Sequence, residues 1–179
     1  MYGIGDKVVH PMHGAGVIED IREIELAGVK RKYYSVRFAV GNMVTNIPID
    51  NCDSIGIRDV VDRGEAKKIL ERFRDMPVTD DSNWNKRQRE NMEKIKSGDI
   101  YKVLSVLKDL MYRERKSGLS TSERKTLGSA RQIVLSELIL SNIADRADIE
   151  NILNDTIEVL IWYAVVLRAI IQNQNSSNT

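Results

Sequence analysis

The hydrophobic period of this chain changes near residue 60, and that change constrains the fold more than any other feature. Between Asp6 and Ile49 apolar residues alternate: Tyr34, Val36, Phe38 and Val40 fall on one face, Ser35 and Arg37 on the other. A period of two marks half-buried strands. Pro11 with Gly14, Ala27-Gly28 and Gly41-Asn42 supply turns, and Pro48 suits a strand end. Four or five antiparallel strands in about sixty residues predict a small, strongly bent barrel of the SH3 or Tudor kind, with an edge able to pair with another protein's sheet. After Asp59 the period becomes helical. The expected class is therefore α+β, with a barrel over residues 1–60 and an all-α domain over 61–179.

The helical region can be divided by its stop signals. Ala66, Ile69, Leu70 and Phe73 line one face of a helix that Met76-Pro77 ends. Asp81 or Ser82 is the expected cap of the next helix, which stops at Ser97-Gly98. A third runs from about Asp99 to Lys116, with Val103, Leu107, Leu110 and Met111 inward and Gly118 as its stop. Ser120 followed by Glu123 is a capping box for a fourth. A fifth, starting near Asp145, leads into an apolar segment at about 157–172 that includes Trp162 and Tyr163. At 15 residues, with Glu158 and Arg168 inside it, the run 157–171 is short of the ~20 apolar residues of a membrane span. Being apolar nearly all round, it must be covered by its own domain or by a second molecule. We expect the second, because a small helical domain offers limited cover.

Charge is distributed unevenly. The whole chain has a net charge of +1, yet residues 84–131 hold 13 Lys+Arg against 6 Asp+Glu, and residues 132–179 hold 2 against 6. A concentrated basic block of this kind is an electrostatic footprint for a polyanion. Its most informative stretch is Asn83-Trp84-Asn85-Lys86-Arg87-Gln88-Arg89, with a tryptophan at a helix start beside three cations. A helix N-terminus offers free N–H groups and the positive dipole end, both suited to phosphate. Trp84 could equally be packing in the core.

The remaining features exclude much. Cys52 is the single cysteine, which fits a reducing compartment, and Met1 to Lys7 carry no secretory pattern, so a cytoplasmic protein is expected. His10 and His13 flank Pro11 without a third ligand and read as turn residues. Asp80-Asp81 reads as loop and capping chemistry. No phosphate-binding glycine loop, zinc spacing or catalytic constellation is present, so neither an enzyme nor a bound cofactor or metal is expected.

The order Gly5-Asp6-Lys7-Val8-Val9, His10-Pro11-Met12-His13-Gly14, Gly56-Ile57-Arg58-Asp59-Val60, Asn83-Trp84, Ser97-Gly98-Asp99, Gly118-Leu119-Ser120 and Ala130-Arg131-Gln132-Ile133 resembles the CarD/CdnL family of RNA polymerase-binding regulators. The likeness covers roughly residues 1–157. It implies a barrel, shared with transcription-repair coupling factors, that binds the polymerase β subunit. It also implies a helical domain that lies on promoter DNA upstream of the −10 element and wedges a tryptophan into the minor groove. On this chain the wedge falls on Trp84, and the phosphate contacts fall on Lys86, Arg87, Arg89, Arg124 and Lys125. The polymerase contact strands fall on about 22–28 and 42–47, which include Arg22, Ile24, Glu25, Asn46 and Ile47. Ile24 and Asn46 stand where family members often carry arginine.

Overall fold

A computed structural model describes residues 1–26, 28–79 and 83–176 of the chain. The predicted α+β organisation is present. Strands β1 (Lys7–His10), β2 (Gly14–Leu26), β3 (Val29–Phe38) and β4 (Val44–Pro48) form an antiparallel meander, and the short β5 (Arg58–Asp59) pairs with the free side of β1. The spatial order is β4-β3-β2-β1-β5. A 3-10 turn (Ile49–Asn51) and the short helix α1 (Cys52–Ile55) carry the chain across the sheet before β5. The register between β2 and β3 shifts between Ile18 and Asp20, the kind of irregularity that bends a sheet. Its concave face closes over Val8, Ile18, Tyr34, Val36, Phe38, Ile47, Cys52 and Ile57. Beyond β4 the β2–β3 pair continues alone as a two-stranded ribbon, Glu23 opposite Lys32 and Glu25 opposite Lys30.

The helical domain consists of α2 (Arg63–Asp75), α3 (Trp84–Lys96), α4 (Ile100–Ser117), α5 (Thr121–Leu140) and α6 (Arg146–Ser176). Each start has a chemical cause. Asp62, Asn83, Asp99 and Ser120 cap α2 to α5, each accepting a backbone N–H of the first turn. The cap of α3 is thus Asn83; the expected caps Asp81 and Ser82 lie outside the described residues. Ser120 and Glu123 complete the predicted capping box. Ala66, Ile69, Phe73, Val103, Leu107, Leu110, Val134, Leu138 and Ile149 meet in one core around α4.

One charged residue is built into that core. Lys108 is fully buried, and its ammonium donates to the carbonyls of Phe73, Arg74 and Met76, at the C-terminal end of α2. The last carbonyls of a helix have no partner within it, so α4 supplies the cap for α2 through this side chain. Burial pushes the ammonium's pKa down, while Asp75 and Asp109 act in the opposite direction.

The two domains meet along α5. Ala15 donates its N–H to Ser136 Oγ at 2.7 Å, and Gln132 donates to the His13 carbonyl at 2.9 Å. Gly14, at φ +84°, sits so close to α5 that a Cβ there would fall 2.2 Å from Ser136 Oγ. Arg58 of β5 forms a two-pronged pair with Glu137, at 2.5 and 2.8 Å, and Val61 N–H adds a third donor to the same carboxylate. The Glu137 carboxylate is fully buried, whereas Arg58 is partly open to solvent.

This asymmetry sets the cost of breaking the pair. Arg58→Ala leaves a buried carboxylate without its cation and is expected to cost about 3 kcal/mol or more. Glu137→Gln keeps hydrogen-bonding capacity and leaves a cation that can reach water, so it costs less. Urea denaturation of the two variants checks this, and equal destabilisation would contradict the asymmetry.

Candidate nucleic-acid interface

Helices α3 and α5 begin side by side, which brings their capping regions into one cluster. Trp84 is the first residue of α3. Its indole N–H points to Ser120 Oγ, the α5 cap, at 3.3 Å, while the side chain remains 44% exposed and outside the core. The ring is therefore held at one end and open to solvent. Around it lies a shallow depression lined by Trp84, Arg87, Arg113, Leu119, Ser120 and Arg124, among others.

Glu123 organises this surface from below. It is buried, and it accepts from Arg87 Nη2 at 2.8 Å, from Ser120 Oγ at 2.8 Å and from Ser120 N at 3.0 Å, with Arg113 Nε at 3.7 Å. Burial pushes its carboxyl pKa up, but the hydrogen bonds from Arg87 and Ser120 outweigh that and hold it below the ordinary glutamate range. Ser120 is thus shared between the cap of α5 and the indole of Trp84.

The predicted DNA-contacting residues divide into two groups. Trp84, Lys86, Arg89, Arg124 and Lys125 are exposed. Lys86 and Arg89 follow Trp84 on α3, with Arg89 4.0 Å from Glu93 in an open i,i+4 pair. Arg124 and Lys125 lie in the first turn and a half of α5, and Arg124 shares the depression with Trp84. Arg87 departs from expectation. It is only 8% exposed and is directed inward to Glu123, so it orders the cluster and is not placed to meet a phosphate. The helical period separates the cations: Arg87 shares with Trp84 the face that α3 turns toward α5, whereas Lys86 and Arg89, also three residues apart, share a different one. Sequence reading also missed Glu123 as more than a cap, Arg113 as its second cation, and Lys108 as internal. The capping-box spacing was the one available signal. The basic block therefore presents less charge to solvent than its composition suggests.

On the barrel, sheet register sorts the other predicted residues. Asn46 lies opposite Ser35 and Arg22 opposite Tyr33, in adjacent rows of the outer face, with Ile24 opposite Arg31 two residues further on. Asn46, Arg22 and Glu25 are exposed, and Arg22 is engaged by Asp20 at 2.7 Å. Ile47 requires correction: it is 3% exposed and belongs to the barrel core, because alternation turns it inward beside the exposed Asn46. Only its backbone, on edge strand β4, is available to a partner.

His10 and His13 stack at 4.5 Å beside Phe38, and His10 Nδ1 accepts the Met12 N–H. Burial, with His13 adding to it, lowers the His10 pKa to about 4, so the ring is neutral at physiological pH. Cys52 packs in the barrel core with its thiol raised by burial.

A bent five-stranded sheet joined to a helical domain that exposes an indole among cations defines a two-module architecture. Similarity to known proteins gives the family. Residues 2–61 match the CarD-like/TRCF RID domain, and residues 68–154 match the CarD C-terminal domain. A Bacillus subtilis (strain 168) protein named "Putative transcription factor YdeB" is 37% identical over 147 residues, covering 82% of this chain and 96% of that protein. The chain belongs to the CarD-like family of transcription regulators.

The Glu123 cluster has a pH signature. A carboxyl held below its unfolded value near 4.3 contributes stability that is present above that value and lost as pH falls through the folded pKa. Between these two points the unfolded chain binds more protons, so stability rises with pH. Unfolding free energies measured from pH 5 downward should therefore fall more steeply in the wild type than in Glu123→Gln. Parallel profiles would show that Glu123 is not held low.

Proposed function

We propose that this protein binds the RNA polymerase β subunit through its barrel and stabilises open promoter complexes through Trp84. The observation that carries this reading is the indole of Trp84, held through Ser120 yet 44% exposed at the head of a basic surface. A core tryptophan would be covered. A free surface tryptophan would lack the hydrogen bond that aims it.

The barrel supplies the attachment. Edge strand β4 and the outer face of Arg22, Ile24 and Asn46 meet a β-subunit sheet, with backbone hydrogen bonds carrying much of the affinity. That mode tolerates Ile24 and Asn46 in place of the arginines common in the family. The seam along α5 then fixes where the helical domain lies, upstream of the −10 element. Lys86, Arg89, Arg124 and Lys125 neutralise backbone phosphates, which positions the domain without reading bases. Arg87 and Glu123 hold the first turns of α3 and α5 in place beneath them.

Trp84 then enters the minor groove at the upstream edge of the bubble. A base step there is already partly unstacked, so the few kcal/mol normally needed to open one is largely supplied. An aromatic against a base contributes about 1–3 kcal/mol. Re-annealing must first expel the ring. Promoters with unstable bubbles gain from this, and promoters limited by escape lose, so one activity yields either direction of regulation.

Trp84→Ala is expected to keep polymerase binding and to shorten open-complex lifetime roughly five- to a hundredfold. A competitor-challenge assay on a fixed promoter measures this. An unchanged lifetime at saturating protein would remove the wedge from the mechanism. Substituting Arg124 and Lys125 with Gln should instead weaken DNA binding evenly across promoter sequences. Its salt dependence should flatten by about one unit of slope for each phosphate no longer neutralised.

A further inference from the structure

Helix α6 runs unbroken from Arg146 to Ser176, so the apolar segment continues one helix and is not a separate element folded back on the domain. Its first half is part of the core: Ile149, Leu153 and Ile157 are buried. Beyond them, Val159, Trp162, Tyr163, Leu167 and Ile170 are exposed, Trp162 by 60%. The family match ends at residue 154, just before this stretch.

We infer that α6 is a self-association helix, pairing antiparallel with α6 of a second copy of this chain. The pattern is the first reason. Ile152, Thr156, Val159, Tyr163, Val166 and Ile170 recur at spacings of four, three, four, three and four, the a/d repeat of a coiled coil. The core side of α6 is satisfied by its own domain through Leu153, Ile157, Leu160 and Ile161, so the seam from Val159 onward is a second apolar face. Trp162 and Leu167 flank it, and they replace the charges usual at such positions with further apolar surface.

Area is the second reason. The half-open side chains of this seam present on the order of 500 Å² of apolar surface, toward the upper end for the largest patch of a monomer. Doubled across a two-fold contact, that reaches the roughly 1,000 Å² a specific interface needs.

Orientation follows from charge and from pairing. A parallel pair would bring Asp155, beside the start of the exposed seam, to the same level as its own copy. An antiparallel pair centred between Ala164 and Val165 sets Val159 against Ile170 and Tyr163 against Val166, and separates the acids. Glu158 is already engaged by Arg115 at 3.1 Å. A membrane surface suits this helix poorly. Among the described residues no helix is long and apolar enough to cross a membrane, and Arg168 is the lone cation over residues 156–170, too few for anionic lipid.

Sedimentation equilibrium of the full chain up to ~100 μM tests the inference, since dimer stability depends on protomer concentration. The expected mass is twice the 20.4 kDa chain, falling twofold in Tyr163→Asp and in Val166→Asp. Both sites lie outside the core, and an unchanged circular dichroism spectrum confirms their fold. Mixing Tyr163→Cys with Val166→Cys protein should give disulfide dimers faster than either variant alone. A monomer at every concentration, or a dimer undisturbed by both aspartates, would overturn the pairing. Faster cross-linking of each variant with itself would overturn the antiparallel register. A monomeric chain that co-sediments with phosphatidylglycerol vesicles would assign the face to lipid instead.

Discussion

The structure depends on how closely the β1–β2 turn approaches helix α5. At Gly14 there is no room for a side chain, and at Ala15 the backbone N–H is committed to Ser136. These contacts, with the Arg58–Glu137 pair, turn two domains that each have their own core into one body. A linker would let the helical domain sample many positions relative to the barrel. The seam instead fixes one, which matters for a protein whose proposed work is to place a single side chain at a single step of DNA. A buried ion pair adds little net stability compared with apolar packing, so the main contribution of Arg58 and Glu137 is orientation: only one register of β5 on α5 satisfies both prongs.

The same logic operates at the interface. Two helix starts, Asn83 on α3 and Ser120 on α5, are drawn together by one carboxylate that collects two arginines and a capping hydroxyl. Ser120 then hands its hydroxyl on to the indole. Trp84 is thus oriented by a network anchored on the buried Arg87 and Glu123, and the exposed cations stand on the outer turns of the two helices. Burial of Arg87 is part of the device, because an arginine left in solvent at that position would leave Glu123 without its nearest cation.

Much of this was legible in the sequence, for a reason that can be stated locally. The change of period near residue 60, the turn glycines and the Ser120/Glu123 spacing are signals carried by neighbouring residues, and strands and helices obey them. Arg87, Ile47 and Lys108 were misplaced or missed because their roles are set by partners 32 to 36 residues away or by a sheet register, which composition does not encode. A lysine in a basic block looks solvated until the carbonyls at the end of α2 are seen above it. A family likeness carried over residue by residue shares this blindness: it assigned Arg87 to phosphate by its position in the chain, and the fold turned that side chain inward.

What remains on the surface is modest, and that modesty fits a tethered mode of action. Under the proposed function, the four exposed cations around Trp84 would give only weak and strongly salt-dependent affinity for DNA by themselves. If the barrel is anchored nearby, the second contact becomes intramolecular, and an effective concentration in the millimolar range makes weak contacts sufficient. In the proposed mode, a more basic surface would bind DNA everywhere and draw the protein away from the polymerase. On that proposal, directing Arg87 and Lys108 into the fold serves specificity of location: the chain would keep enough positive charge to settle on DNA once delivered, and too little to settle there first.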